Sequence, residues 1–313
     1  MTGPKVVALG GGHGLAASLQ ALTRVTGELT AIVTVADDGG SSGRLRNELA
    51  ALPPGDLRMA LAALAGDDEW SKTWERLLQH RFGGDGPLAG HAVGNLMLTA
   101  LSETTSGVVE ALDLVGRLVG ARGRVLPAST VPLQIVAQVV GLDLTDRWAV
   151  HEVVGQVAVA TTAGSVCGLR VEPENPPACA EAVEAVLAAD FVVLGPGSWF
   201  TSVLTHLLVP ELREALAKTS AQRVLALNLA PQVGETDGFS PANHVEVVAT
   251  HAPELALDIV LADEAAVLDS RGLMSAVESA GGKLVLAPVA LGDGTPRHDP
   301  ERLAAAFASI MTG

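Results

Sequence analysis

The sequence predicts an α/β protein: a Rossmann-like open, mostly parallel sheet with flanking helices and a β-rich insertion in the middle of the chain. Three observations carry this expectation. Short β-branched runs that end in glycine alternate with longer Ala/Leu-rich stretches at helical spacing, the pattern of repeated βαβ units. The first unit passes from Lys5–Leu9 through the glycine loop Gly10-Gly11-Gly12-His13-Gly14 into an apolar helix. Between about Ser106 and Pro173 the helical period gives way to strand-length runs separated by turns.

Taken in order, strands are expected near Lys5–Leu9, Leu29–Ala36, Phe191–Leu194, Arg223–Leu229, Asp258–Leu261 and Lys283–Pro288. Helices are expected over Leu15–Val25, Leu57–Ala65, Trp70–His80, Ala92–Leu101, Val108–Leu118, Cys179–Ala188, Ser202–Leu207, Glu211–Ala217 and Glu301–Met311, several preceded by Ser, Thr, Asp or Pro. In the insertion, Arg124–Leu126, Leu133–Val140, Val153–Ala160 and Ser165–Val171 read as strands, and Glu172–Pro177 as the turn back to α/β. The chain is therefore read as one domain with three stretches: a nucleotide-binding half over 1–105, the insertion over 106–173 and a second α/β half over 174–313. No repeat or low-complexity tract interrupts it.

A length of 313 residues is ample for a large core, and 48% apolar with 18% charged residues is a globular composition. Lys plus Arg is 20 against Asp plus Glu 35, a formal charge of −15, which disfavours nucleic acid and anionic membrane surfaces. Two cysteines make no disulfide framework, and no apolar run approaches the roughly 20 residues of a membrane span, so a cytoplasmic location is expected.

The chemistry concentrates in four places. Gly10–Gly14 sits where a strand opens into a helix, and side-chain-free backbone there lets a phosphate approach the amides at the positive helix end. Val35-Ala36-Asp37-Asp38-Gly39-Gly40-Ser41-Ser42-Gly43-Arg44-Leu45-Arg46 comes after the second strand, where an acid such as Asp37 accepts a ribose hydroxyl. Two adjacent carboxylates, Asp37 and Asp38, also offer oxygen ligands to Mg²⁺, and a plainer reading makes Asp38, Ser41 or Ser42 a helix cap with Arg44 solvated. Gly195-Pro196-Gly197-Ser198-Trp199-Phe200-Thr201 leaves another strand and reads as a second anion cradle. His91 and Asn95, at the start of an apolar helix, are candidates to face a ligand, while Asp56 is expected to cap the helix it begins. No Walker loop, nucleophile elbow or H-E-x-x-H pair is present.

Gly10–Leu15, Val33–Arg46 (VTVADDGGSSGRLR), Pro53–Arg58, Gly90–Leu96 (GHAVGNL), Arg122–Pro127, Leu194–Ser202 (LGPGSWFTS), Gly234–Gly238 (GETDG) and Arg297–Pro300 (RHDP) together resemble the YvcK family, the gluconeogenesis-factor branch of the CofD-like superfamily. That resemblance implies a cytosolic factor that binds UDP-sugars such as UDP-N-acetylglucosamine and supports gluconeogenic growth, envelope construction and cell shape. It places Gly10, Gly11, Gly12, His13, Gly14, Asp37, Asp38, Ser41, Ser42, Arg44, Asn95, Gly195, Gly197, Ser198, Thr201 and Arg297 around the nucleotide. It also implies a nucleotide sugar and an unidentified protein as partners, and admits a homodimer. Three positions depart from the family pattern: His13 in place of Thr, Trp199-Phe200 in place of Leu-Tyr, and no tyrosine before Ala280-Gly281. A transferase of phosphorus-containing groups, moving a phospho-lactyl-like group from a nucleotide diphosphate with Mg²⁺, is the alternative. An NAD(P)-dependent oxidoreductase is weaker, because no hydride-transfer constellation accompanies the Rossmann unit.

Overall fold

A computed structural model describes residues Gly3–Thr312. The first half builds β1 (Lys5–Gly10), α1 (Gly12–Leu22), β2 (Glu28–Val33), α2 (Gly40–Leu49), α3 (Gly55–Leu64), α4 (Glu69–Gln79), α5 (Val93–Thr104), α6 (Val108–Leu118) and β3 (Arg124–Pro127). Then come β4 (Gln134–Val140), β5 (His151–Val154), α7 (Gln156–Ala160), β6 (Ser165–Glu172) and α8 (Ala180–Leu187). The second half runs through β7 (Phe191–Leu194), a π-turn Trp199–Val203 with a 3-10 turn Leu204–Leu208, α9 (Pro210–Lys218), β8 (Gln222–Ala226), α10 (Pro241–His251), β9 (Ile259–Asp263), α11 (Ser270–Ser279), β10 (Lys283–Ala287) and α12 (Pro300–Thr312).

The main sheet has seven strands in the order β10-β9-β8-β7-β1-β2-β3, and every pairing in it is parallel. Its central strands are unbroken apolar runs because helices cover both faces: after Lys5, every residue of β1 is buried. The chain winds outward from β1 through β2 to β3, then returns to the other side of β1 as β7. Strand order therefore reverses between β1 and β7, and a crevice opens there at the carboxyl ends of the strands.

The antiparallel part is smaller than the 106–173 expected. Val108–Leu118 is a helix, and Arg124–Pro127 joins the main sheet by pairing Thr30 to Arg124 through Val33 to Pro127. What remains is a three-stranded sheet, β5-β4-β6. The run Val153–Ala160 is not one strand: Gly155, at φ +101, ends β5, and Gln156–Ala160 turns into α7. Gly12 and Gly40 begin helices that glycine content hides from sequence, while α10 and α11 have no counterpart among the expected elements. Among the described residues, no helix is long and apolar enough to cross a membrane.

Candidate functional site

A cleft of about 900 Å³ lies at the point of strand reversal. Its walls are Gly11–Gly14 with the first turns of α1, Pro196–Ser198 after β7, Asn228–Val233 after β8, and Pro296–His298 leading into α12. Of the residues expected at the site, Gly11, Gly12, His13, Gly14, Gly197, Ser198 and Arg297 line it.

The first glycine loop keeps its amides open at the helix start. The first rung of α1 runs from the Leu15 N–H to the Gly11 carbonyl (3.3 Å), so the N–H groups of Gly12, His13 and Gly14 precede the ladder and carry the positive helix end. Gly12 supplies the turn with φ +58. Gly14 is needed for approach instead: a Cβ there would run into the Pro196 carbonyl oxygen and come within 2.6 Å of the Gly197 Cα. The two glycine loops thus touch, and Ser18 of α1 fastens them by donating to the Gly195 carbonyl (3.1 Å). Gly10 itself is strand, paired with Val33.

The second loop is not a vacant cradle, which corrects the reading from sequence. The Gly197 N–H donates to Asn228 Oδ1 (2.9 Å), the Trp199 N–H to Gln232 Oε1 (3.1 Å) and the Phe200 N–H to Glu235 Oε2 (3.1 Å). Thr201 Oγ1 donates to Glu235 Oε1 (3.0 Å), and Ser198 Oγ is hydrogen-bonded to both Thr201 and Glu235. Glu235 is buried, so a carboxylate of the protein's own already occupies the position an anion would take.

Asp37 and Asp38 part company. Asp38 Oδ1 accepts from the Val157 N–H (3.0 Å) and so caps α7, tying the insertion to the loop after β2. Asp37 Oδ1 accepts from the Gly39 N–H (2.9 Å), while its other oxygen lies beside Gly55, where an added Cβ would come within 2.6 Å. Asp37 thereby faces the start of α3 and Asp56. Among the described residues, no group of three or more His, Cys, Asp and Glu is placed to hold a metal ion.

Asp56 is not the helix cap expected of it, since Pro54 holds that position and no side chain caps α3. It stands on the cleft lining instead, with Oδ2 sealed from solvent and without a partner, and with a backbone hydrogen bond from Gly12. Burial, and next the charge of Asp37, push its carboxyl up to about 7. Arg58, on the same helix, is buried with Nε and Nη1 unpartnered, and burial holds its guanidinium below the usual arginine range.

Ser41, Ser42, Asn95, Arg44, Gly195 and Thr201 stay off the cleft lining. Asn95 Nδ2 donates to Ser41 Oγ (3.0 Å), which meets His91 Nδ1 (2.9 Å) in a buried chain behind Asp37. Burial first, and Arg44 second, lower the His91 pKa. Arg44 binds the carbonyls of Pro87 and Ala89 and fastens the 80–90 loop. Arg297 lines the cleft, but its Nη2 reaches Asp293 (2.8 Å) and its Nε Thr295 (3.0 Å). Sequence reasoning missed Asp56, Asn228, Gln232, Glu235, Gln156 and His298. The loop after β8 borders the reversal point, which is the signal that could have found Asn228 and Gln232.

The fold and site define an open, doubly wound α/β protein of Rossmann-like architecture, with a glycine loop and a cleft at its point of strand reversal. The chain belongs to the CofD family: residues 6–281 match the family described as 2-phospho-L-lactate transferase CofD. A Mycobacterium tuberculosis protein named "Putative gluconeogenesis factor" is 53% identical over 309 residues, covering 97% of this chain and 90% of that one. The Listeria innocua "Gluconeogenesis factor" is 42% identical over 260 residues, covering 83% of this chain and 77% of its own. A crystal structure of a UPF0052 family member from Bacillus halodurans superposes with a TM-score of 0.86 at 31% identity, covering 98% of this chain and 99% of that one.

Proposed function

We propose that the protein binds a nucleotide sugar such as UDP-N-acetylglucosamine in this cleft and acts as a ligand-sensing factor in gluconeogenic growth, envelope construction and cell shape, through a protein partner. The observation that supports it most is the first glycine loop. The helix-start N–H groups of His13 and Gly14 face a cleft large enough for a nucleotide sugar, beside a Gly12 N–H that Asp56 engages, and among the described residues Arg297 is the one Arg or Lys on its lining. The names of the mycobacterial and Listeria relatives support the gluconeogenic setting. A ligand that favours one conformer shifts the equilibrium by its differential affinity, so sensing requires no reaction.

Thermal unfolding with and without UDP-N-acetylglucosamine tests this. At a concentration about 100 times the dissociation constant, stability rises by about 2.7 kcal/mol. No shift with any UDP-sugar at millimolar concentration, on protein shown ligand-free by native mass spectrometry, refutes the reading. A dinucleotide retained in that spectrum points to NAD(P) instead.

One observation favours a transferase as the second reading. Asp37 and Asp56 face one another's charge, and Asp56 Oδ2 has no partner, so the two carboxylates suit a divalent cation such as Mg²⁺ better than Asp37 and Asp38, whose Oδ1 atoms are engaged. Such an ion would neutralise phosphoryl oxygens, and Asp37 and Asp56 are the residues that would hold it. Stability that rises with Mg²⁺ in the wild type and not in Asp56→Asn supports this reading.

A further inference from the structure

The two glycine loops look alike in sequence and differ in electrostatics. The first has one amide, that of Gly12, bonded to Asp56 and leaves those of His13 and Gly14 to the cleft, whereas the second has its donors filled by Asn228, Gln232 and Glu235. We infer that Glu235 determines ligand specificity: its buried carboxylate, seated on the second loop, makes that half of the cleft a subsite for an uncharged, hydroxyl-bearing group and excludes a second anion. This rests on the nucleotide-sugar reading and assigns the glycosyl group to the second loop.

The argument starts from the donors. A backbone N–H at Phe200 and the hydroxyls of Ser198 and Thr201 form a set that a ligand phosphate or carboxylate would use, and all three converge on Glu235. Glu235 is only 6% exposed and its donors, Ser198, Thr201 and the Phe200 N–H, are neutral, so its charge is screened poorly. A second anion bound nearby meets both a filled loop and a like charge. Apart from Asp56, whose carboxyl burial pushes up to about 7, the remaining groups on this side are neutral. Ser198, Ser202, Asn228 and Gln232 line it, together with Gln156 of the insertion, whose Oε1 is buried and unpartnered.

A hydroxyl both donates and accepts, so it can answer an unpaired carboxamide oxygen, whereas a carboxylate can only accept. The cleft's arginine lies elsewhere: Arg297 belongs to the segment entering α12, which packs against α1. A diphosphate held there leaves its sugar to the neutral side.

UDP-glucose and UDP-glucuronic acid differ only in a hydroxymethyl against a carboxylate, and calorimetry at one fixed salt concentration compares them on the wild type, Glu235→Gln and Glu235→Asp, each checked by a melting curve. The wild type should prefer UDP-glucose by about tenfold or more, Glu235→Gln should narrow the ratio to about threefold or less, and Glu235→Asp should keep it. Equal wild-type affinity for the two ligands overturns the inference while leaving the nucleotide-sugar reading in place, and this arm needs no variant. A preference that persists undiminished in folded Glu235→Gln overturns the assignment to Glu235. Binding of neither ligand overturns the inference, and the nucleotide-sugar reading falls with it when UDP-N-acetylglucosamine fails to bind as well.

Discussion

Replacing Asp56 with asparagine should stabilise the protein, and by an amount that depends on pH in a defined way. The folded-state carboxyl titrates at about 7 against an ordinary value of 3.8, because burial and Asp37 both oppose its charge more strongly than Gly12 and Arg58 favour it. A raised acid binds its proton more tightly when folded. Its contribution to stability is therefore fully present below about pH 4, declines as pH rises toward 7, and is constant above that. At about 1.36 kcal/mol per unit the full difference is about 4 kcal/mol, and the cleft side of the residue, being partly open to water, brings the expectation to about 2 to 4 kcal/mol. Asparagine has the same shape and no charge to bury. Urea denaturation of wild type and Asp56→Asn at matched pH values from 4 to 8 gives a difference curve in which other titrating groups cancel. The variant's advantage should grow with pH and level off past about 7. A difference flat to within about 0.5 kcal/mol over that range would show that Asp56 is ionised without penalty, and the account of the cleft floor would fail.

Other substitutions test other parts of the site. His206 is fully buried with Nδ1 and Nε2 facing the carbonyls of Ser202 (2.8 Å) and Ile32 (3.1 Å), and burial pushes its pKa down to about 4. Its contribution has the opposite sign to that of Asp56: stability is lost as pH falls from about 6.5 to 4, by about 3 kcal/mol, and a His206→Gln difference curve in urea should show that slope. Gly14→Ala should cost about 1 to 3 kcal/mol and weaken nucleotide-sugar binding, because its Cβ forces the two loops apart; an unchanged melting temperature would refute the contact. Arg297→Ala should weaken UDP-sugar binding by about 1.5 to 3 kcal/mol with little change in stability, since its pair with Asp293 is exposed, and Lys should restore only part of it. Equal calorimetric affinity for all three proteins would remove Arg297 from the site.

The main sheet was legible because parallel strands covered on both faces are written as continuous apolar runs, and Phe191–Leu194 was found to the residue. Boundaries blurred where glycine does a helix's work. Gly12 and Gly40 lower local propensity, yet packing of the strand–loop–helix units starts α1 and α2 there. Helix α10 was hidden by its β-branched residues, although Ser240, Pro241 and Asn243 form a capping box that announces it. Val153–Ala160 was read as one strand because periodicity cannot register that Gly155 turns the chain, nor that Asp38, far away in sequence, caps the helix beyond it. The cleft's first loop was visible as a motif. Its complement was not: filling of the second loop by Asn228, Gln232 and Glu235 is a tertiary event, and the motif Gly234–Gly238 was noticed without a role because nothing local says which loop its glutamate will reach.

That tertiary event also explains why two similar loops can meet without duplicating one function. Contact between Gly14 and Pro196–Gly197 brings two helix starts together, and two positive ends side by side repel. Glu235 relieves this at one of them by placing a negative charge on the second loop, leaving the first as the open positive end. Asp38 does the same for α7, so the insertion is fastened to the sheet at the loop where strand β2 ends. Carboxylates of the chain thus fill two of the helix starts gathered here, and at the third Asp56 takes the Gly12 N–H alone, so that the His13 and Gly14 amides are the ones left facing the cleft. A net charge of −15 does not conflict with an anionic ligand under this arrangement, because Glu235 and Asp38 are committed to helix ends, burial pushes the Asp56 carboxyl up to about 7, and the field that a phosphate meets is set largely by the first loop's helix end.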